Sequence, residues 1–121
     1  MADIVTLTHQ PIRQLTTTGT LQPIYLAADI GGYDFLDMQA GLLGIEGAVS
    51  AFTLELWTGM QAQTDDGWAK VGATLLSTTT PGTWGAVNYP NGLLRYLRWR
   101  AVVTGGTAAT FFIRGMARRY A

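Results

Sequence analysis

Hydrophobic and polar residues alternate with a period of two in several stretches of this chain. Phe52-Thr53-Leu54-Glu55-Leu56-Trp57 and Leu97-Arg98-Trp99-Arg100-Ala101 are the clearest runs. That period is the signature of half-buried strands, whose successive side chains point to opposite faces. Turn signals cut the runs into short pieces: Thr18-Gly19, Gly31-Gly32, Asp65-Asp66-Gly67, Pro81-Gly82, Tyr89-Pro90-Asn91-Gly92 and Gly105-Gly106. Glycine supplies positive φ at such places and proline presets φ. The spacing predicts strands at about 3–8, 12–17, 21–28, 35–45, 51–58, 69–76, 83–88, 93–103 and 109–119. Segment 35–45 has the composition of a short helix as well, but Gly41 and Gly44 argue for a strand. The expected fold is all-β: an antiparallel β-sandwich, jelly-roll-like, of about eight or nine strands in one domain over 1–121. Residues 1–24 are Thr-rich and read either as an edge strand or as an extended arm that adds a strand to a neighbour.

The last two runs carry the most informative pattern. Read as a hairpin across the loop Thr104–Ala108, they place Ala101 opposite Phe111 and Trp99 opposite Ile113 on a close-packed inner face. The outer face then sets Arg98 opposite Arg114, Tyr96 opposite Met116, and Leu94 opposite Arg118. Two arginines directly opposed are destabilising unless a carboxylate or a partner lies between them.

Composition sharpens this reading. Apolar residues make up 48% of the chain but charged residues only 13%, about half the roughly 25% usual for soluble domains. Lys occurs once and Glu twice, so the exposed faces of long helices have no material. Eight bases cancel eight acids, which removes the electrostatic basis for binding nucleic acid or an anionic membrane. The opening Met1–Val5 has no basic or apolar leader pattern, and no apolar run is long enough for a membrane span. The expectation is a soluble protein made in the cytoplasm. The charges are also segregated: every acid lies at or before Asp66, and six of the eight bases lie at or after Arg95. Either the halves pair within one fold, with Glu55 and Asp37 neutralising the arginine face, or some arginines meet acids of a neighbouring subunit. The excess of Arg over Lys suits the second reading, since guanidinium tolerates burial in an interface.

Catalytic constellations are not expected. Without Cys there is no thiolate nucleophile, disulfide or soft-metal site. The single His9 lies in a polar segment, and Ser50 and Ser77 stand outside any nucleophile-elbow pattern. No phosphate-binding loop is present. Asp29, Asp34 and Asp37, or Asp65 with Asp66, offer hard oxygens for calcium, but their spacing matches no EF-hand and turn chemistry explains them equally well. Neither a cofactor nor a metal is expected. Trp68 and Trp84 flank turns, where exposed indoles form a sugar-stacking platform in carbohydrate-binding modules. The plainer reading has them packing beneath loops.

Aromatics, Met and Arg are the residue types enriched in protein interfaces. The outer positions Trp57, Tyr96, Arg98, Arg100, Phe112, Arg114, Met116 and Arg118 are therefore the expected oligomer or lattice contacts, with Leu94 beside them. The runs Leu93-Leu94-Arg95-Tyr96-Leu97-Arg98-Trp99, Thr104-Gly105-Gly106-Thr107-Ala108-Ala109-Thr110-Phe111 and Gly115-Met116-Ala117-Arg118-Arg119-Tyr120, with Glu55–Met60 and Asp65–Trp68 before them, carry a resemblance. Over about residues 33–120 the chain resembles small β-sandwich structural proteins of tailed bacteriophages and prophages, which decorate or cement capsids or form parts of tails. The resemblance is one of pattern and carries no catalytic residue. It implies a virion component, made in the host cytoplasm, that self-associates, most often as a trimer, and binds capsid or tail proteins without a cofactor. A carbohydrate- or receptor-binding β-sandwich is the alternative.

Overall fold

The computed structural model describes residues 2–120; Met1 and Ala121, the ends of the expected domain, lie outside the described residues. Nine strands pair in one antiparallel sheet. They are β1 (Ala2–Val5), β2 (Ile12–Leu21), β3 (Ala28–Asp29), β4 (Phe35–Glu46), β5 (Val49–Gly59), β6 (Ala69–Lys70), β7 (Leu76–Ser77), β8 (Trp84–Tyr89) and β9 (Tyr96–Arg118), with a 3-10 turn at Ile24–Leu26. The all-β antiparallel class and the strand number expected from the alternation are those of the chain, and segment 35–46 is strand throughout.

β9 organises everything else. Along one edge its first half pairs with β5, with Glu55 opposite Arg100, and its second half with β4, with Gln39 opposite Arg114. Along its other edge lie β3, β2 and β1 in turn. β4 and β5 are nearly one strand interrupted at Gly47-Ala48, so three long strands run side by side and all bend at one line. At that line Glu46 faces Ala108 and Val49 faces Gly105. Gly47, Gly105 and Gly106 take φ of +77°, +72° and +63°, the left-handed region where a side chain is disfavoured. A Cβ on Gly106 would lie 2.8 Å from the Val49 nitrogen and 2.9 Å from the Glu46 oxygen, so the corner closes only around a hydrogen.

A corner takes carbonyls out of the ladder, and buried or crowded carbonyls need other donors. Thr16, at the register shift in β2, sets its Oγ1 3.2, 3.0 and 3.3 Å from the carbonyl oxygens of Gly105, Gly106 and Thr107. Ser50 Oγ donates to the Thr104 carbonyl at 3.2 Å.

The loop Thr104–Ala108, expected to close a hairpin, is this corner. The two halves of β9 do not pair with each other, because each already has neighbours on both sides. Arg98 consequently lies opposite Trp57, and Arg114 opposite Gln39. The expected opposition of Arg98 to Arg114 is corrected: no such repulsive pair forms.

Bending brings the inner faces of the two halves together as the layers of the sandwich. Trp99 meets Phe111 edge-on at 5.0 Å between ring centroids, and Phe52 lies 5.8 Å from Phe111. Leu54, Leu56, Leu97, Ala101 and Ile113 complete the inner surface, all buried, as the alternation requires. A bulge at Leu43 reverses the parity of β4, which puts Leu43 outside and Ile45 opposite Ala109 inside. The far edges of the curled sheet also meet. Gly85 of β8 sits where a Cβ would be 2.8 Å from the Leu75 oxygen, and the Tyr89 hydroxyl donates to the Ala73 carbonyl at 2.8 Å. Burial pushes the Tyr89 phenol well above the ordinary tyrosine range, so it remains a donor there. Within residues 1–24, read as edge strand or arm, β1 and β2 pair with β9 of their own chain, with register shifts at Leu15/Thr17 and Thr17/Thr20 that break up the exposed edge.

Candidate interaction surfaces

Because β9 folds over, its outward side chains divide between two outer faces. Tyr96, Arg98 and Arg100 share the β5 layer with Trp57, whereas Phe112, Arg114, Met116 and Arg118 belong to the β4 layer. The eight residues expected as one strip therefore form two separate groups.

On the β5 layer the cations are consumed locally. Arg100 donates from Nη1 to Glu55 Oε1 at 3.1 Å, lies against Gly19, and sits 5.6 Å from the Trp57 ring centroid. Lys70 approaches the other Glu55 oxygen at 3.5 Å. Arg98 is only 2% exposed, which overturns its expected place on the surface. Trp68 folds back over it from the β5–β6 turn: the indole packs on Gly59, with the Arg98 guanidinium 4.8 Å from its ring centroid. Arg98 Nε donates to the Gln22 carbonyl at 2.7 Å, and Nη1 reaches Asp65 at 3.0 Å. That last contact is an ion pair without an aligned hydrogen bond, since Nη1 is buried and makes none. Trp68 is itself 9% exposed and donates from Nε1 to the Thr64 carbonyl. It offers no face to a sugar, and it lies on the opposite side of the molecule from Trp84, so the two do not form a joint platform.

The β4 layer is different. Its outer face reads, across β1, β9, β4 and β8, as the row Ile4, Met116, Asp37, Asn88, followed by Arg114, Gln39, Ala86 and then Phe112, Gly41, Trp84. A shallow, mainly apolar groove of about 530 Å³ runs over it between Ile4, Met116, Ala86 and Arg114. Ile4 is 79% exposed at its rim. Trp84, 39% exposed, packs on Gly41, where a Cβ would collide with the ring. The Arg114 guanidinium lies 4.6 Å from that ring's centroid, and its Nε donates to Gln39 Oε1 at 2.7 Å. Arg118 Nε donates to Asp37 at 2.8 Å, and Asn88 donates to the other Asp37 oxygen at 2.8 Å.

The segregation of charge along the chain is thus resolved mostly within the fold. Arg95, Arg98, Arg100 and Arg118 pair with Asp29, Asp65, Glu55 and Asp37 of the same chain, and Arg13 with Glu46. Among the described residues Arg114 and Arg119 have no carboxylate partner.

Several carboxyls are held below their ordinary range. The Gly31 N–H, then Arg95, lowers Asp29; Asn88, then Arg118, lowers Asp37; Arg13 lowers Glu46. Burial works to raise Glu55, but the Trp57 indole N–H, Arg100 and Lys70 outweigh it and bring it down. All four bind protons less readily folded than unfolded, so proton uptake favours unfolding. Their stabilisation is complete above the unfolded carboxyl range, about pH 4–5, and is lost as pH falls through the lower native values. The melting temperature should hold between neutrality and that range and fall below it. A thermal scan that rises on acidification would contradict this. The two exposed pairs, Arg13–Glu46 and Arg95–Asp29, contribute least.

Three of the acids weighed as calcium ligands have structural duties. The carboxylates of Asp29 and Asp37 serve the bonds just given, and that of Asp34 accepts the Tyr120 N–H at 2.7 Å. Among the described residues no cluster of three or more His, Asp or Glu could hold a metal. His9 is exposed, and no described helix is long and apolar enough to cross a membrane.

Two participants escaped the sequence reading. Gln22 is buried under Arg98 and donates to the Leu7 carbonyl at 2.9 Å, with nothing in Leu21-Gln22-Pro23 to signal it. Ile4 gives a signal only once Met116 is known to be its neighbour across the ladder. The total accessible surface, 6217 Å², is close to the roughly 6,400 Å² of a compact monomer of this mass. The exposed apolar groups are thus not the mark of an unfinished core. No protein-family model, curated protein or solved structure matches this chain.

Proposed function

We propose that the chain is a non-enzymatic structural subunit of a phage-like particle, which associates with copies of itself and binds a capsid or tail lattice without a cofactor. The observation that carries this reading is the outer face of the β4 layer. It joins Ile4, Met116 and Trp84 to ionic groups that intrachain partners already hold in place. Side chains fixed before contact lose little entropy on association, and a low surface charge lowers the desolvation cost. Many weak contacts of this kind on a repeating lattice sum to firm attachment. The subunit then belongs in the virion after synthesis in the host cytoplasm.

Sedimentation velocity tests the self-association. A concentration-dependent oligomer, with a trimer as the expected species, is predicted at micromolar concentration, and a strictly monomeric protein would sink the reading. The second reading, a glycan-binding module, now rests on the half-exposed Trp84 ring alone. Quenching of tryptophan fluorescence by a glycan panel, abolished in Trp84→Ala, would favour it over assembly.

A further inference from the structure

We infer that the β4-layer groove receives the β5–β6 turn of a second copy of this chain, with Arg114 donating to the carboxylate of Asp66 across the contact. This rests on the assembly reading and names the two surfaces it would use. The groove carries one charge more than its acids balance. Asp37 is taken by Arg118 and Asn88, whereas Arg114 is bonded only to the neutral Gln39 and the Trp84 ring. Its Nε is occupied by Gln39 and the residue is exposed, which leaves the terminal nitrogens beside the Trp84 ring for a carboxylate.

A two-fold contact of this face with itself would add a second uncompensated guanidinium and no free acid. The complement must come from elsewhere on the partner. Three acids lack a cation among the described residues: Asp3, Asp34 and Asp66. Asp34 is engaged by the Tyr120 N–H, and Asp3 stands opposite the buried Ala117, so strand parity turns it away from the outer face that carries Ile4 and Met116. Asp66 remains. It is exposed, and it lines one hollow with Met60, which is 61% exposed and supplies an apolar side chain for Ile4 and Met116. The turn is also tied down before contact, by Trp68 Nε1 to the Thr64 carbonyl and by Arg98 to Asp65. The turn belongs to the β5 layer and the groove to the β4 layer of each copy, so the contact is heterologous and propagates to a closed ring or an open filament.

Charge exchange on the full chain tests the inference, with oligomer content read by sedimentation velocity and folding checked by circular dichroism. Arg114→Glu and Asp66→Arg should each raise the dissociation constant by about 30-fold or more, and the double variant should return it to within about threefold of wild type. Arg114→Gln, which keeps a neutral side chain on the Trp84 ring, serves should the glutamate variant fold poorly, and should weaken assembly while the circular dichroism spectrum stays that of the folded wild type. Wild-type oligomers that persist in the single variants, or a folded double variant no better than either single one, would overturn this contact and leave the assembly reading standing. A wild-type protein that stays monomeric would remove both.

Discussion

Replacing Arg98 by alanine should lower the free energy of unfolding by about 2–4 kcal/mol, read as a shift of the urea midpoint. The side chain is buried, its Nε satisfies the Gln22 carbonyl at 2.7 Å, and its guanidinium supports the Trp68 ring. Truncation removes a long stem from a packed site, orphans a carbonyl and leaves the indole over a void. Asp65 loses little, because its carboxylate is 76% exposed and water replaces the guanidinium. Arg98→Met, which refills the space without the charge, should recover most of the loss. Arg98→Glu should prevent folding, since it buries a carboxylate beside Asp65 with no cation in reach. An alanine variant within about 0.5 kcal/mol of wild type would show that the Trp68 lid stands without the guanidinium.

Gly106→Ala should be at least as damaging, costing about 3 kcal/mol or more, whereas Gly67→Ala at a similar φ should cost about 1 kcal/mol. The two positions separate backbone strain from collision. Both have positive φ, +63° and +78°. A Cβ at Gly67 meets nothing within 4 Å, while one at Gly106 strikes the backbone of Val49 and Glu46. Those atoms belong to the strand alongside, so relief requires opening the corner and separating the layers joined by Trp99 and Phe111. Parallel thermal melts would check the difference. Equal losses in the two variants would mean that the fold line yields and the close approach carries no cost.

These two positions also mark where sequence reasoning stopped. A Gly-Gly pair between two alternating runs is the same local signal for a tight turn and for a strand corner. The choice between them is made by strands far away in the chain. β9 already has β5 and β4 on one edge and β3, β2 and β1 on the other, so neither half has a free edge for its sibling. The Arg98–Arg114 opposition failed with the hairpin that implied it. Alternation placed Arg98 outward, which is its true direction from the sheet. That an indole thirty residues earlier would cover it could not be read from the period.

The glycan platform of Trp68 and Trp84 failed in part for the same reason: being next to a turn says nothing about which way the ring folds. The charge pattern fared better. Glu55 and Asp37 were legible as the neutralising acids for the arginine-rich end, and they pair with Arg100 and Arg118. Gln22 had no legible signal, since an isolated polar residue beside a proline looks like any loop.

The local order of residues determined which side chains turn inward and that the chain is all-β, because side-chain direction in a strand depends only on parity along the backbone, whereas strand ends such as the expected break at Thr104–Ala108 were not fixed by it. Strand partners, the bend shared by three strands, the burial of Arg98 and the isolation of Arg114 were decided by tertiary structure, because each depends on which distant segment arrives alongside.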